Sequence, residues 1–161
     1  MPSHYPAPTD KDLQSSLGAL APKPVQVALL ASAEPEREPT GVMVEYVGDG
    51  DSLAAIAFCD HDVVNFVGGA IASVDLENIQ EMNAKPTLND AAVDGFREVA
   101  NGLGAALNGE YTPDVRLADV HRLPGELSDG IKQLWRKPAA KRAYRLTVDD
   151  YGAGTVILYL G

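Results

Sequence analysis

Three histidines and a single cysteine leave little in this 161-residue chain that could hold a metal ion or activate a nucleophile. His4, His61 and His121 lie far apart, and none has another His or Cys at the short spacing of a zinc ligand pair. Cys59 has no partner for a disulfide, and the apolar Ala57 and Phe58 before it point to a buried thiol. Gly102-Leu103-Gly104 falls inside a helical pattern, so it is not a phosphate loop between strand and helix. Gly48-Asp49-Gly50-Asp51 has the look of a calcium loop but lacks the later Glu, and it fits a hairpin turn. What remains is a column of residues. Asp94, Glu98, Asn101 and Ala105 follow one another at steps of four, three and four, which stacks them along one helix face. A carboxylate and a carboxamide then stand side by side, facing solvent.

Polar residues on an outer helix face are ordinarily only solubilising. Two features set this column apart. Asn has poor helix propensity, so a mid-helix Asn calls for a compensating reason. Around it sit Gly95, Ala100, Gly102, Gly104 and Ala105, small residues expected to keep the outer surface low enough for another protein to approach. That is how a docking helix would be built, with Gly102 and Ala105 bordering the surface a partner would meet. The opposite stripe, Val93, Phe96, Val99, Ala100, Leu103 and Leu107, must pack on a sheet.

The helix carrying the column is predicted from a cap at Thr87 or Asn89 to Asn108, with Gly109 placed to terminate it. Before it, residues 1–9 read as a mobile lead-in and residues 10–161 as one domain. Thr9 or Asp10 caps a first helix bearing Leu13, Leu17 and Leu20, stopped by Pro22 and Pro24. Strands follow over 25–32, 40–48 and 53–59, the first two separated by the acidic connector 34–39, and they are expected to form an antiparallel meander. Asp60 caps a helix through Val63, Val64, Phe66, Val67, Ala70 and Ile71, and a short helix spans 76–82. Later come a strand near 115–120, a helix after Pro124, and a closing hairpin over 141–149 and 154–160 around Asp150-Tyr151-Gly152. The expected class is α+β, a mostly antiparallel sheet with two long helices packed on it.

Composition narrows the partners. Thirteen Lys plus Arg against 23 Asp plus Glu give a net charge of −10, which repels phosphate backbones and anionic lipid, so nucleic acid and membrane surfaces are not expected partners. No apolar run reaches the ~18 residues of a membrane span, no export signal is visible, and the lone thiol fits a reducing cytoplasm.

Asp94-x-x-x-Glu98-x-x-Asn101, followed after 22 residues by Pro124, resembles the signature of the CheC, CheX and FliY phosphatases of bacterial chemotaxis. The order of elements over residues 10 to 160 resembles that family as well. CheC-type proteins carry two copies of Glu-x-x-Asn, whereas the first helix here offers only Asp62-x-x-Asn65, so the chain is more similar to single-site CheX. The resemblance implies a phosphatase acting on the aspartyl phosphate of a CheY-type response regulator in two-component signalling. Asn101 would then position water and Glu98 would engage a lysine of the regulator. Asp94 would be helix-face packing or a rim contact of the partner-binding surface, and Pro124 would set chain geometry. It implies no cofactor of the protein's own, Mg²⁺ being held by the regulator. Because CheX-like proteins are commonly dimers, it leaves a homodimer open, with the strand 155–159 as a candidate pairing edge. The alternative within the same family is a CheX-like or flagellar-switch-like module that docks a regulator or motor component without hydrolysis.

Overall fold

The structure is a computed structural model that describes residues 7–21, 24–35, 37, 39–108 and 114–161. Six antiparallel strands form one sheet: β1 (Val25–Leu30), β2 (Gly41–Val47), β3 (Leu53–Asp60), β4 (Arg116–Leu123), β5 (Ala140–Val148) and β6 (Gly152–Leu160), in the spatial order β1-β5-β6-β3-β2-β4. Alternate residues of each strand point to opposite faces. On one face Val42, Val44, Tyr46, Ala57, Leu146 and Leu158 join the apolar stripe of the long helix α5 (Asp90–Leu107) in the main core. On the other face Met43, Ile56, Phe58, Ile157 and Tyr159 pack under Ile131 of the short helix α6 (Asp129–Arg136). The central strands are thus covered twice, which is why 53–59 and 156–160 read as unbroken apolar runs and not as alternating ones.

Helix α1 (Asp10–Leu17) starts at a capping box, the Thr9 hydroxyl accepting from the Asp12 amide and the Asp12 carboxylate from the Thr9 amide. Its Gln14 side chain donates to the Val25 carbonyl and accepts from the Val27 amide, so it satisfies part of the free edge of β1. Of the lead-in read over 1–9, residues 1–6 lie outside the described residues. Residues 7–9 are held: Ala7 packs on the core, Pro8 is buried, and the Tyr144 hydroxyl donates to the Pro8 carbonyl.

After β3, a continuous helical rod over 61–71 consists of α2 (His61–Val63), a π-helical turn (Val64–Gly68) and α3 (Gly69–Ile71), capped by the Asp60 carboxylate accepting from the Val63 amide. Helix α4 (Leu76–Ala84) connects it to α5. The fold class is as expected, although only α5 is long.

Two sequence expectations fail here. The strands over 25–32, 40–48 and 53–59 do not make a meander: β2 and β3 pair as a hairpin, but β1 leaves them for β5. The connector over 31–40 is longer than the 2–5 residues of a hairpin loop, so it can carry the chain to the far side of the sheet. Nor is 155–159 an edge. It lies in β6, between β5 and β3, and the edges are β1 and β4. Gly109, Pro22, Glu36 and Glu38 fall outside the described residues.

Candidate functional site

Helix α5 begins where the Asn89 side chain accepts from the Ala92 amide, and it ends at Asn108, whose carboxamide clips Val115 by donating to its carbonyl and accepting from its amide. Along the helix the predicted stripe is buried in full, from Val93 to Leu107. Asp94, Glu98, Asn101 and Ala105 are all exposed. Neither the Glu98 nor the Asn101 side chain has a hydrogen bond or ion pair among the described residues. Arg97, the one basic residue of α5, is also exposed and stands one turn before Asn101. Because helical side chains lean toward the N-terminus, the Asn101 carboxamide inclines over the turn that carries Arg97 and Glu98. An acceptor, a donor, an anion and a cation therefore share one open helix surface.

The small residues serve another purpose than the one expected of them. A Cβ on Gly95 would lie 2.3 Å from the Gly68 carbonyl oxygen, and one on Gly68 would lie 2.1 Å from that of Ala92, so α5 and the 61–71 rod meet backbone to backbone. A Cβ on Gly102 would meet Leu17 of α1 at 2.4 Å, and one on Gly104 would press on the Tyr46 ring at 3.2 Å. Gly95 and Gly102 thus seat α5 among its neighbours, and of the predicted rim residues Asp94 and Ala105 remain on the open face. Beneath the helix, the buried Tyr46 hydroxyl donates to the Ala100 carbonyl at 2.7 Å. Burial pushes the Tyr46 phenol well above its ordinary pKa and so keeps it a donor.

No family model and no curated protein sequence matches the chain. Solved structures do. In a FliM–SpeE complex from H. pylori, one chain aligns with a TM-score of 0.62 at 6% identity, covering 94% of this chain and 80% of that one. FliY of Thermotoga maritima aligns at 0.56 and 6% identity over 93% and 82%. The CheX–CheY–BeF3–Mg²⁺ complex of Borrelia burgdorferi matches at 0.50 and 14% identity over 93% of each chain. The fold is that of the CheC/CheX/FliY family.

Within this CheX-type fold, the Asn of the second acid-x-x-Asn pair is turned inward, while its Asp62 is only partly buried. Asn65 is fully buried in the π-helical turn. Its carboxamide donates to the Asn83 side chain at 3.1 Å and to the Thr87 carbonyl at 2.9 Å, and it accepts from the Asn89 amide at 3.0 Å. Asp62 in turn accepts from Asn83 at 2.7 Å. The pair fastens α4 and the entry of α5 to the rod. Its signal was in the sequence: Val63-Val64 and Val67 to Ile71 are apolar around the whole helix, which marks a buried rod whose polar side chain must find partners inside.

Pro124 follows a cis peptide bond at the end of β4 and lies apart from the column. It lines an open groove of about 600 Å³ with Pro39, Leu123, Leu127, Lys132 and Trp135, on the α6 side of the sheet, and no α5 residue enters that lining. A neighbouring ion pair, Arg122 with Asp90 at 2.8 Å, ties the same strand to the first turn of α5. The remaining candidates for chemistry are ordinary in their settings. His61 shares a hydrogen bond with Thr40 and His121 with Glu45, and no cluster of three metal-ligating side chains exists among the described residues. Cys59 is buried, and burial raises its thiol pKa. The 49–51 segment is a short 3-10 turn joining β2 and β3, as the hairpin reading expected. No helix among the described residues is long and apolar enough to cross a membrane.

Proposed function

We propose that this protein is a cytoplasmic phosphatase for the aspartyl phosphate of a CheY-type response regulator, with α5 as the docking helix. The observation that carries the reading is the exposed Glu98 and Asn101, their side chains unpaired among the described residues, on a helix otherwise embedded in a CheX-type fold. An aspartyl phosphate is an acyl phosphate and hydrolyses unaided, so a catalyst need only hold water in line and steady the phosphoryl geometry. The Asn101 carboxamide oxygen accepts from such a water while its NH₂ donates to a phosphoryl oxygen, and it brings no negative charge to an anionic group. Glu98 pairs with a cation of the regulator and fixes the angle of approach. Arg97 adds positive charge beside the phosphoryl oxygens from the other side of Asn101. Mg²⁺ comes with the regulator. The borrelial CheX was solved against CheY carrying BeF3, a tetrahedral stand-in for a phosphoryl group, which supports a partner of this kind.

The test is phosphate release from regulators charged with a small phosphodonor. Release accelerated by the protein at substoichiometric concentration is the expected outcome. A second reading has its own support in the FliM likeness: a switch-type module that docks its partner without hydrolysis. Tight binding of a phosphorylated regulator whose phosphate lifetime stays unchanged would favour that reading.

A further inference from the structure

Asn101 can hold water in line only if its backbone is fixed to within a fraction of an ångström, yet its own sequence works against that. Gly102 and Gly104 follow it within the same turn, and each weakens a helix interior relative to Ala. The turn therefore depends on contacts from outside the helix. One of them reaches the peptide group of Asn101 itself: the Tyr46 hydroxyl donates at 2.7 Å to the Ala100 carbonyl, which belongs to the same peptide plane as the Asn101 amide. The helical bond uses one lone pair of that oxygen and the phenol takes the other. Gly104 completes the contact, because its missing side chain lets the helix settle on the edge of the Tyr46 ring. Tyr46 is itself fully buried, in β2 between β3 and β4.

We propose that Tyr46 is a positioning residue for Asn101, its hydroxyl holding the glycine-bearing turn in the orientation the carboxamide needs. The inference rests on the phosphatase reading for its consequence in turnover, and on geometry alone for its consequence in order.

Tyr46→Phe keeps the ring and removes only the hydroxyl. Tyr144→Phe is the matched control, since it deletes another phenol that donates to a backbone carbonyl, that of Pro8, which lies outside α5. Two measurements are made on both variants. Amide hydrogen exchange over residues 101–105 should quicken about five-fold in Tyr46→Phe, the equivalent of one hydrogen bond, and stay unchanged in Tyr144→Phe. Dephosphorylation at saturating regulator should slow about five-fold or more in Tyr46→Phe alone, with Kd for the BeF3-loaded regulator within two-fold of wild type. A loss shared equally by both variants would reduce Tyr46 to general stability and overturn the proposal. Unchanged exchange in Tyr46→Phe overturns it as well. If the wild type accelerates no regulator, the phosphatase reading fails, and the exchange measurement alone then sustains or sinks the role of the hydroxyl.

Discussion

Asn65 and Asn101 each follow an acidic residue by three positions, on helical segments that touch through Gly68 and Gly95, yet one is fully buried and the other exposed. The buried one is bonded on both ends of its carboxamide, while the exposed carboxamide has no partner among the described residues. A side chain whose donors and acceptors are already used inside the fold has none left for a substrate. One that is held out on a rigid helix with its capacity unspent is available to a partner. The same short pattern thus serves cohesion in one place and, on our reading, chemistry in the other.

Four experiments would break or sharpen that contrast. The largest effect belongs to Asn101→Ala, which should slow stimulated dephosphorylation by about 100-fold or more, as loss of a preorganised polar group at a reacting centre does. Its denaturation midpoint should stay within the ~0.5 kcal/mol typical of exposed sites, Ala being the better helix former. Full activity in this variant would end the water-positioning role even with the fold intact. Asn65→Ala should show the reverse. It empties a fully buried site and takes the bonding partner from the Asn89 amide and the Thr87 carbonyl, and should lower unfolding free energy by ~2–4 kcal/mol in a urea titration, with turnover per folded molecule little altered. Third, Glu98→Ala should weaken association with the phosphorylated regulator about ten-fold and flatten its dependence on ionic strength, measured by calorimetry across a salt series.

The smallest effect concerns Asp60, at the entry to the rod. Burial raises its pKa, partly offset by the bonds it accepts from the Val63 and Thr155 amides. A carboxyl easier to protonate folded than unfolded adds stability below its unfolded value, about pH 4, and loses that contribution as pH climbs through the raised folded value. The Tm advantage of the wild type over Asp60→Asn should therefore be greatest near pH 4 and shrink toward neutrality. An advantage that grows with pH would reverse the assignment.

Much of this was legible in the residues. The stripe from Val93 to Leu107 and the outward column came from the 3.6-residue period alone, and the structure places both as expected. Asn89 and Thr9 were each one of two capping candidates by type and position, and the structure selects them over Thr87 and Asp10. The glycines misled because a missing side chain marks a close approach without saying which side the neighbour occupies, and here Gly95 and Gly102 face inward neighbours. Tyr46 was illegible for a different reason. Its link to Ala100 spans 54 positions of sequence, and nothing local in a strand tells which helix carbonyl will pass overhead. Strand order failed on the same ground, since pairing of β1 with β5 is decided by packing across the whole chain.

The backbone contact between Gly68 and Gly95 has a bearing on how fast and how selectively a partner is captured. Two helices meshed at that distance cannot slide or roll without a clash, so α5 arrives at an encounter already in its final pose. The freedom surrendered on association is then confined to a few surface rotamers, chiefly those of Glu98 and Asn101, at ~0.5–1.5 kcal/mol for each such side chain. On the docking reading proposed above, a partner meeting this surface would be selected by its own shape and charge, with no rearrangement of the helix to accommodate an ill-fitting one.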